Sequence, residues 1–349
     1  MNFDPNAAAQ PDSGIFGLPD SADAKVVVLP VPFDATTSYA KGAADGPDAI
    51  VEASKQVDLF DLETGKPYEA GIALLEQDGK FVRQVRRWNK EAGRLAQPII
   101  DAGGQATTPK LVKQLGQVND LCEKLNWDVW QFASALIRQG KIVATLGGDH
   151  ATPFGAIRAH ADAYPDLGVL HFDAHADLRV AFEGFTWSHA SIMFNVVHQL
   201  PVAKLVQVGI RDFCEQEHDL IKASKGRIVT HFDAHLASAR QKGVSFHRLC
   251  EYIVRDLPKN VYVSFDIDGL DPALCPNTGT PVPGGLSFNE ANAILREVVD
   301  SGRRIVGFDL NEVAPGKDGS EWDANVGARM LYKLIGWSLK SQPKAKAKR

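Results

Sequence analysis

Residues 168–177 read GVLHFDAHAD, an apolar run of strand length that ends in a cluster of ionisable groups. Asp173, His175 and Asp177 alternate along the chain, so continued strand geometry would direct all three side chains to one face. Core strands rarely carry three ionisable groups on one face without a use. Carboxylates gathered in an apolar sheet repel one another and need compensating positive charge to stay ionised. The stretch therefore predicts a metal site at the end of a strand.

Two further apolar runs end in the same way. NVYVSF is followed by Asp266 and Asp268, and KIVATL is followed by GGDH, in which Gly147 and Gly148 let the chain turn and bring His150 inward. Two divalent cations would supply the positive charge that this many carboxylates require. The three segments together predict a dinuclear metal site with these ligands: His150, Asp173, His175, Asp177, Asp266 and Asp268.

Strand-length apolar runs recur along the chain with amphipathic helical stretches between them. The runs begin near residues 25, 141, 168, 204, 227, 260 and 303. This alternation predicts an α/β fold of three α/β/α layers with a mainly parallel central sheet. Ligands of open parallel sheets bind beyond the carboxyl ends of the strands. The segments GGDH, DAHAD, DIDGLDP and DLNEVAP all lie there.

Composition predicts an ordinary globular chain of 349 residues, 44% of them hydrophobic and 23% charged. We predict an N-terminal extension at 1–20, one catalytic domain at 21–340 and a basic tail at 341–349. A polar, partly helical insertion at about 57–130 is a candidate cover for the site or a subunit contact. The net charge of -5 argues against nucleic acid. The N-terminus has no apolar signal region, which predicts a cytoplasmic protein without a membrane anchor.

Some suggestive residues have simpler interpretations. HFDAH occurs again at 231–235 without a third carboxylate, so Asp233 and His235 are expected at a helix start and on the surface. The four scattered cysteines form no CxxC pair and are expected to be reduced thiols. Cys275 follows the second aspartate cluster and could line a pocket, although packing is the simpler role. Asp271 either orients a metal-ligating group or caps a turn.

The run SFDIDGLDP at 264–272, followed by TGTPVPGG, resembles the ureohydrolase superfamily of arginases and agmatinases. The resemblance extends from VPFDATTSYAKGAADGPDAI at 31–50 to EVAPGKDGSEWDANVGARMLYKLI at 312–335, nearly the whole chain. It implies an arginase-like fold in which Asp173 and Asp266 bridge two metals. One metal would also bind His150 and Asp177, and the other His175 and Asp268.

The resemblance also implies a reaction. Two bound cations lower the pKa of water from 15.7 to about 7, so that bridging hydroxide can cleave a C–N bond of a guanidino compound. Asp177 would take part as a catalytic ligand. Glu312 in DLNEVAP matches the carboxylate that pairs with the guanidinium group, and His189 in TWSHASIMFN matches the histidine that passes a proton to the leaving amine.

The loop at 178–195 departs from the family pattern. Arg179 stands where arginases place an asparagine, which argues against arginine as substrate, and Ala190 stands where a glycine is usual. Together with Arg179 and Glu312, Trp187 and Met193 are expected to bind the substrate in a tight, apolar pocket.

The N-terminal region is similar to nickel-dependent guanidine hydrolases and metformin hydrolase subunits. We therefore predict hydrolysis of guanidine, an N-alkylguanidine or a biguanide, releasing ammonia or an amine, with two divalent ions, Ni²⁺ favoured over Mn²⁺. One alternative is a urea-forming agmatinase or guanidino-acid hydrolase, with Arg179 contacting an acidic head group. Another is a supporting subunit of a hetero-oligomeric hydrolase. Loss of metal ligands would mark such a subunit, and this chain retains all six. A homo- or hetero-oligomer, a trimer or hexamer, is expected by resemblance.

Overall fold

Eight parallel strands form the central sheet in the residues that the computed structural model describes, which are 3–10, 12–19, 21–76 and 79–343. Their order across the sheet is β2-β1-β3-β8-β7-β4-β5-β6. The predicted α/β class with a parallel sheet is confirmed. The strands are β1 Val26–Val31, β2 Ile72–Leu74, β3 Ile142–Gly147, β4 Leu167–Phe172, β5 Lys204–Ile210, β6 Ile228–Phe232, β7 Asn260–Asp266 and β8 Arg304–Asn311.

Helices cover both faces of this sheet, which gives the three predicted layers. Buried side chains of α1, α8, α9 and α10 share one hydrophobic cluster on one face, and those of α2 to α5 form two clusters on the other. The described helices are α1 Gly46–Ser54, α2 Lys80–Asp101, α3 Pro109–Arg138, α4 Phe154–Ala163, α5 Ile192–Gln199, α6 Glu215–Ala223, α7 Asp233–Gln241, α8 Phe246–Val254, α9 Phe288–Asp300 and α10 Trp322–Lys340.

Local sequence explains where several helices begin. Thr108 accepts a hydrogen bond from the backbone N–H of Leu111, and Pro109 occupies the first position of α3. At α9, Ser287 and Glu290 satisfy each other's backbone N–H groups in a capping box. These caps fix the helix starts independently of the packing of the apolar faces.

The segment at 57–130 contains an element that the sequence did not reveal. Strand β2 pairs with β1 at the edge of the sheet and has only three residues, too few for a periodic signal. Beyond it, α2 and most of α3 pack on the sheet, and their buried residues share a cluster with Leu29, Val31 and Val143. The segment is thus part of one helical layer.

The N-terminal segment packs on the core. Ile15, Phe16 and Leu18 of the N-terminal segment are buried in the same cluster as α1 and α10, and Phe16 N donates to Ser54 Oγ at 2.8 Å. Of the predicted basic tail, 344–349 lie outside the described residues. None of the helices in the described part of the chain is long and apolar enough to cross a membrane.

The strand order brings the predicted ligands together. Strands β3, β8, β7 and β4 are four consecutive neighbours at the middle of the sheet. Because all of them are parallel, their carboxyl ends lie at one edge. His150, Asp173, Asp266 and Glu312 lie at or just beyond those four ends.

Candidate metal centre

The loop after β4 carries three of the predicted ligands. Strand β4 ends at Phe172, so Asp173, His175 and Asp177 do not continue it, and the strand alternation expected for them was wrong. Asp177 instead has a left-handed φ of 55°. Such a backbone costs about 1–3 kcal/mol and persists where the surroundings hold it. The three side chains converge because the loop folds back over the strand ends.

One group of side chains centres on Nδ1 of His150. This atom lies 2.9 Å from Asp173 Oδ2, 3.1 Å from Asp177 Oδ2 and 3.4 Å from Asp266 Oδ2. All four residues are buried. They are the four residues predicted to hold the first metal.

A second group lies around His175. Its Nδ1 is 3.0 Å from Asp268 Oδ2 and 3.4 Å from Asp173 Oδ1. Asp173 thus presents one carboxylate oxygen to each group, as a bridging ligand would. Asp266 directs Oδ2 toward His150, while its Oδ1 accepts from the backbone N–H of Asp268 at 2.8 Å.

The glycine pair before His150 is required for close approach. A Cβ at Gly148 would lie 2.1 Å from the carbonyl oxygen of Phe33, and a Cβ at Gly147 would lie 1.9 Å from Asn311 Oδ1. Neither glycine has a positive φ. The pair therefore matters because it leaves space between neighbouring strands, and the sharp turn expected from the sequence is not its reason.

Excess negative charge perturbs the titration of this cluster. Burial and then the charge of Asp173 raise the pKa of Asp177 to about 7, and burial together with Asp268 and Asp173 raises the pKa of Asp266 well above its ordinary value. Burial opposes the charged form of His150, but hydrogen bonds with Asp173 and Asp177 outweigh it and raise its pKa well above the usual range. Without metal, protons provide the positive charge that the carboxylates lack.

Glu312 lies directly behind the metal-ligating segment. Its Oε1 accepts from the backbone N–H of His150 at 2.9 Å, and its backbone has a left-handed φ of 64°. The residue is buried, and burial followed by the charge of Asp149 raises its pKa well above the ordinary value. Because burial disfavours its charged form, this carboxylate is suited to pair with a cation that the substrate brings.

His189 and Arg179 lie at the rim of the cluster. Burial and then the charge of His175 lower the pKa of His189 to about 4, so its imidazole is neutral at pH 7. The Arg179 guanidinium lies 5.3 Å from the Phe182 ring, and its Nε is 3.9 Å from Glu217 Oε2. The Phe182 ring lies 6.0 Å from the His189 ring.

The two apolar residues predicted to bind substrate have other surroundings. Met193 is 0% exposed and packs among core side chains of α5, so the structure offers no Met193 surface to a ligand. The Trp187 ring lies 4.8 Å from the Phe154 ring at an interplanar angle of 55°, and it lines a cavity of about 390 Å³ with Trp127 of α3 and Leu200. The expected tight pocket of these two residues beside the metal cluster is not formed.

The simpler interpretations of the remaining motifs agree with the structure. Asp233 begins α7, and His235 is exposed on that helix. Asp271 is exposed, and its Oδ1 accepts from the backbone N–H of Ala273 at 2.9 Å, as a turn cap does. All four cysteines are free thiols, and Cys275 is buried in the core.

Sequence reasoning missed the buried polar residues beneath the ligands. His171 Nε2 lies 2.8 Å from Asp173 Oδ2, and Ser264 Oγ lies 2.9 Å from His150 Nε2. Asp309 accepts from Ser264 Oγ at 3.0 Å. Each is an isolated polar residue in an apolar strand, and this pattern is the signal that could have identified them.

The donor set fits divalent metal. Two groups of nitrogen and carboxylate oxygen atoms each lie within 4.8 Å of one another: those of His150, His171, Asp173 and Asp177, and those of Asp173, His175 and Asp268. Imidazole and carboxylate ligands suit Mn, Ni, Co or Zn. A parallel α/β sheet with two adjacent ligand groups at its carboxyl edge fits the class of metal-dependent hydrolases with a dinuclear centre.

Comparison with known proteins identifies the family. The model of the arginase family matches residues 24–336, so the chain belongs to that family. It is a metal-dependent hydrolase of C–N bonds that acts on guanidino compounds.

Individual relatives align along nearly the whole chain. The N(1)-aminopropylagmatine ureohydrolase of Thermus thermophilus is 34% identical over 326 residues, 92% of this chain and 94% of that protein. The agmatinase of Cronobacter sakazakii is 30% identical over 321 residues, 91% and 89% of the two chains. The structure of proclavaminate amidino hydrolase from Streptomyces clavuligerus aligns with a TM-score of 0.71 at 25% identity, covering 96% and 99%.

Proposed function

We propose that this enzyme hydrolyses agmatine or a similar guanidino compound with a cationic or neutral tail, forming urea and an amine. The observation that carries the proposal is the buried carboxylate of Glu312 beside a dinuclear cluster, in a chain whose aligned relatives are named for agmatine-type substrates. The proposal corresponds to the alternative considered from the sequence, with guanidine and biguanide hydrolysis as the competing hypothesis.

Glu312 is the group that would hold the guanidinium. Its Oε1 already accepts from His150 N, whereas Oε2 faces the turn at Gly279, where a Cβ would lie 3.4 Å from that oxygen. Because Gly279 has no side chain, no methyl group packs against Oε2 at this turn. A carboxylate and a guanidinium make paired, charge-assisted hydrogen bonds, so this contact would fix the orientation of the reacting carbon.

The two cations, held by the six predicted ligands, would supply hydroxide at neutral pH. His189 is neutral at that pH and can take up a proton and give it to the nitrogen that departs. Asp177, with a pKa of about 7 in the metal-free chain, is about half protonated at pH 7, and metal binding would displace that proton. These residues provide binding, orientation and proton transfer for the cleavage.

The competing hypothesis came from the similarity of the N-terminal region to guanidine hydrolases, and a compact apolar pocket of Trp187 and Met193 would have supported it. Met193 is buried in the core and Trp187 packs against Phe154, so neither supports selection of a very small substrate. Arg179 remains a candidate contact for an acidic tail, although it lies close to Glu217 and Phe182. The similarity to guanidine hydrolases stays a prediction.

A substrate panel tests the proposal. Purified protein loaded separately with Mn²⁺ and with Ni²⁺ is assayed for urea and ammonia on agmatine, aminopropylagmatine, 4-guanidinobutyrate, arginine, guanidine and dimethylbiguanide. We expect the highest kcat/KM on an amine-tailed substrate. Turnover of guanidine or dimethylbiguanide, with none on agmatine, would establish the competing hypothesis. Preference for 4-guanidinobutyrate that disappears in Arg179→Ala would assign a guanidino-acid hydrolase.

The same preparation tests the metal and the assembly. We propose a dinuclear site filled by Mn²⁺ or Ni²⁺, which metal analysis of the protein as isolated identifies. We propose further that the chain forms a homo-oligomer, a trimer or hexamer, which light scattering measures. Turnover by this chain alone would exclude the supporting-subunit hypothesis, and turnover only after addition of a second chain type would establish it.

A further inference from the structure

A row of polar side chains crosses the sheet directly below the metal cluster. Thr230, Gln207, His171, Ser264 and Asp309 lie opposite one another in strands β6, β5, β4, β7 and β8. The last four are 0% exposed. An unsatisfied buried polar group costs about 1–3 kcal/mol, so such a row is stable only if its members bond to one another.

The hydrogen bonds of Gln207 determine the tautomer of His171. Gln207 Nε2 donates to the carbonyl oxygen of Ala176 at 2.7 Å, which identifies the nitrogen end of the amide, and Thr230 Oγ1 donates to Gln207 Oε1 at 2.9 Å. The same Nε2 lies 3.0 Å from His171 Nδ1. Because the amide nitrogen can only donate, Nδ1 must accept, and the imidazole carries its proton on Nε2.

That proton points at Asp173. His171 Nε2 lies 2.8 Å from Asp173 Oδ2, while Asp173 Oδ1 accepts from the backbone N–H of His175 at 2.5 Å. Each carboxylate oxygen is therefore held by a donor of the chain itself. The plane of Asp173 is fixed before metal binds, and this is the carboxylate that belongs to both ligand groups.

We propose that His171 is a positioning residue that aims the bridging carboxylate of Asp173 at the two metals, and that Gln207 and Thr230 hold it in the Nε2–H tautomer. His171 is not a ligand in this arrangement, because both ring nitrogens are engaged. The inference rests on the dinuclear centre and does not depend on which guanidino compound is cleaved.

The other half of the row gives His150 the opposite orientation. Ser264 Oγ donates to Asp309 Oδ1 at 3.0 Å, so it accepts from His150 Nε2 at 2.9 Å. His150 Nδ1 thus faces the carboxylate cluster, to which it donates in the metal-free chain, and it would present its lone pair to a metal that displaces this proton. Two neighbouring imidazoles thus differ in role because their partners in the row differ, one being a ligand and the other a donor to a ligand.

Two substitutions of His171 separate positioning from packing. In His171→Gln, the longer amide reaches the former Nε2 position and can still donate to Asp173. In His171→Asn, the amide reaches only the Nδ1 position. The buried His160 of α4, whose Nδ1 lies 2.7 Å from the carbonyl oxygen of Ala156, provides a matched control as His160→Asn.

The readout is Mn²⁺ affinity of the full chain, measured by competition with a chromophoric chelator, with thermal unfolding of the metal-free proteins alongside. We expect Mn²⁺ affinity to fall about 10- to 100-fold in His171→Asn, the range typical for loss of a hydrogen-bond partner of a metal ligand. In His171→Gln and His160→Asn, the affinity should stay within about threefold of the wild-type value. Equal affinity in the two His171 variants, whether retained or lost, would overturn the proposal.

A second measurement does not require a variant that folds. Nitrogen-15 NMR of the metal-free wild-type protein, labelled in histidine, reports which ring nitrogen of His171 carries the proton. We expect a protonated Nε2 and an unprotonated Nδ1. A proton on Nδ1 would refute the tautomer and with it the positioning role. This spectrum is independent of substrate turnover, so failure of the proposed function leaves it interpretable.

Discussion

Replacing Glu312 by glutamine separates substrate binding from metal binding. Glutamine retains the volume and a carbonyl oxygen that can accept from His150 N, a contact of 2.9 Å in the wild-type chain. It replaces the other oxygen with an amide N–H₂ group, which cannot accept from a guanidinium. We therefore expect the metal content of Glu312→Gln to equal that of the wild type.

The size of the effect follows from the burial of Glu312. Breaking a buried ion pair from one side costs about 3–5 kcal/mol, which corresponds to a fall in kcat/KM of roughly 200- to 5,000-fold. Steady-state urea release on the preferred substrate measures this fall. A matched control is Glu63→Gln, which removes a carboxylate held by Asn292 and Lys333 of α9 and α10 and should leave kcat/KM unchanged.

The same substitution should change the pH dependence of stability. The pKa of Glu312 is raised in the folded, metal-free chain, so its ionisation destabilises the fold progressively as pH rises from about 4.5. Metal-free Glu312→Gln lacks this loss and should unfold at a higher temperature than the wild type, by a margin that widens with pH. A fall in kcat/KM of less than tenfold, or a parallel loss of metal, would refute the role of Glu312.

Three further results are expected. At pH 6, Asp177 with its pKa of about 7 is about nine-tenths protonated, so metal binding should release at least about one proton per chain. Fewer protons should be released toward pH 8. Calorimetry in two buffers of different ionisation enthalpy measures the number released, and no release would contradict the charge balance. Asp173→Asn should bind neither metal, whereas Asp233→Asn in the duplicated motif should retain both, as elemental analysis of the purified variants measures. Equal loss of metal in the two variants would contradict the ligand assignment. Gly269→Ala places a Cβ 2.7 Å from the backbone nitrogen of Asp173, so it should weaken metal binding and lower the free energy of unfolding by about 1–3 kcal/mol. The control Gly116→Ala meets no atom within 4 Å and should not destabilise the fold. A larger loss of stability in Gly116→Ala than in Gly269→Ala, measured by denaturant titration, would count against the packing argument.

Periodicity and strand ends predicted most of the fold. All seven long apolar runs are strands, since a buried parallel strand is a continuous apolar segment that needs no long-range information to recognise. The order of the strands was not predictable from that pattern, because it depends on which crossover connections the helices make. Strand β2 escaped notice because three residues at a sheet edge carry too little signal.

The site was predictable to the extent that its residues follow strand ends. Parallel strands alone place His150, Asp173 and Asp266 at one edge of the sheet, whereas their closeness also depends on the strand order. Whether Met193 and Trp187 face the cluster or the core depends on the path of the loop at 178–195, which no periodic pattern constrains. The polar row at His171 and Gln207 becomes evident only when the register between strands is known.

The position of β8 determines when the centre can form during folding. This strand is the last of the sheet in the chain, yet it lies between β3 and β7 at the middle of the sheet. A nascent chain that has not yet produced β8 has a gap between the strand ends that carry His150 and Asp266, and it lacks Asp309 and Glu312. We therefore expect the ligand group that includes His150 to be completed only when β8 is in place, whereas Asp173, His175 and Asp268 need only the directly paired strands β4 and β7.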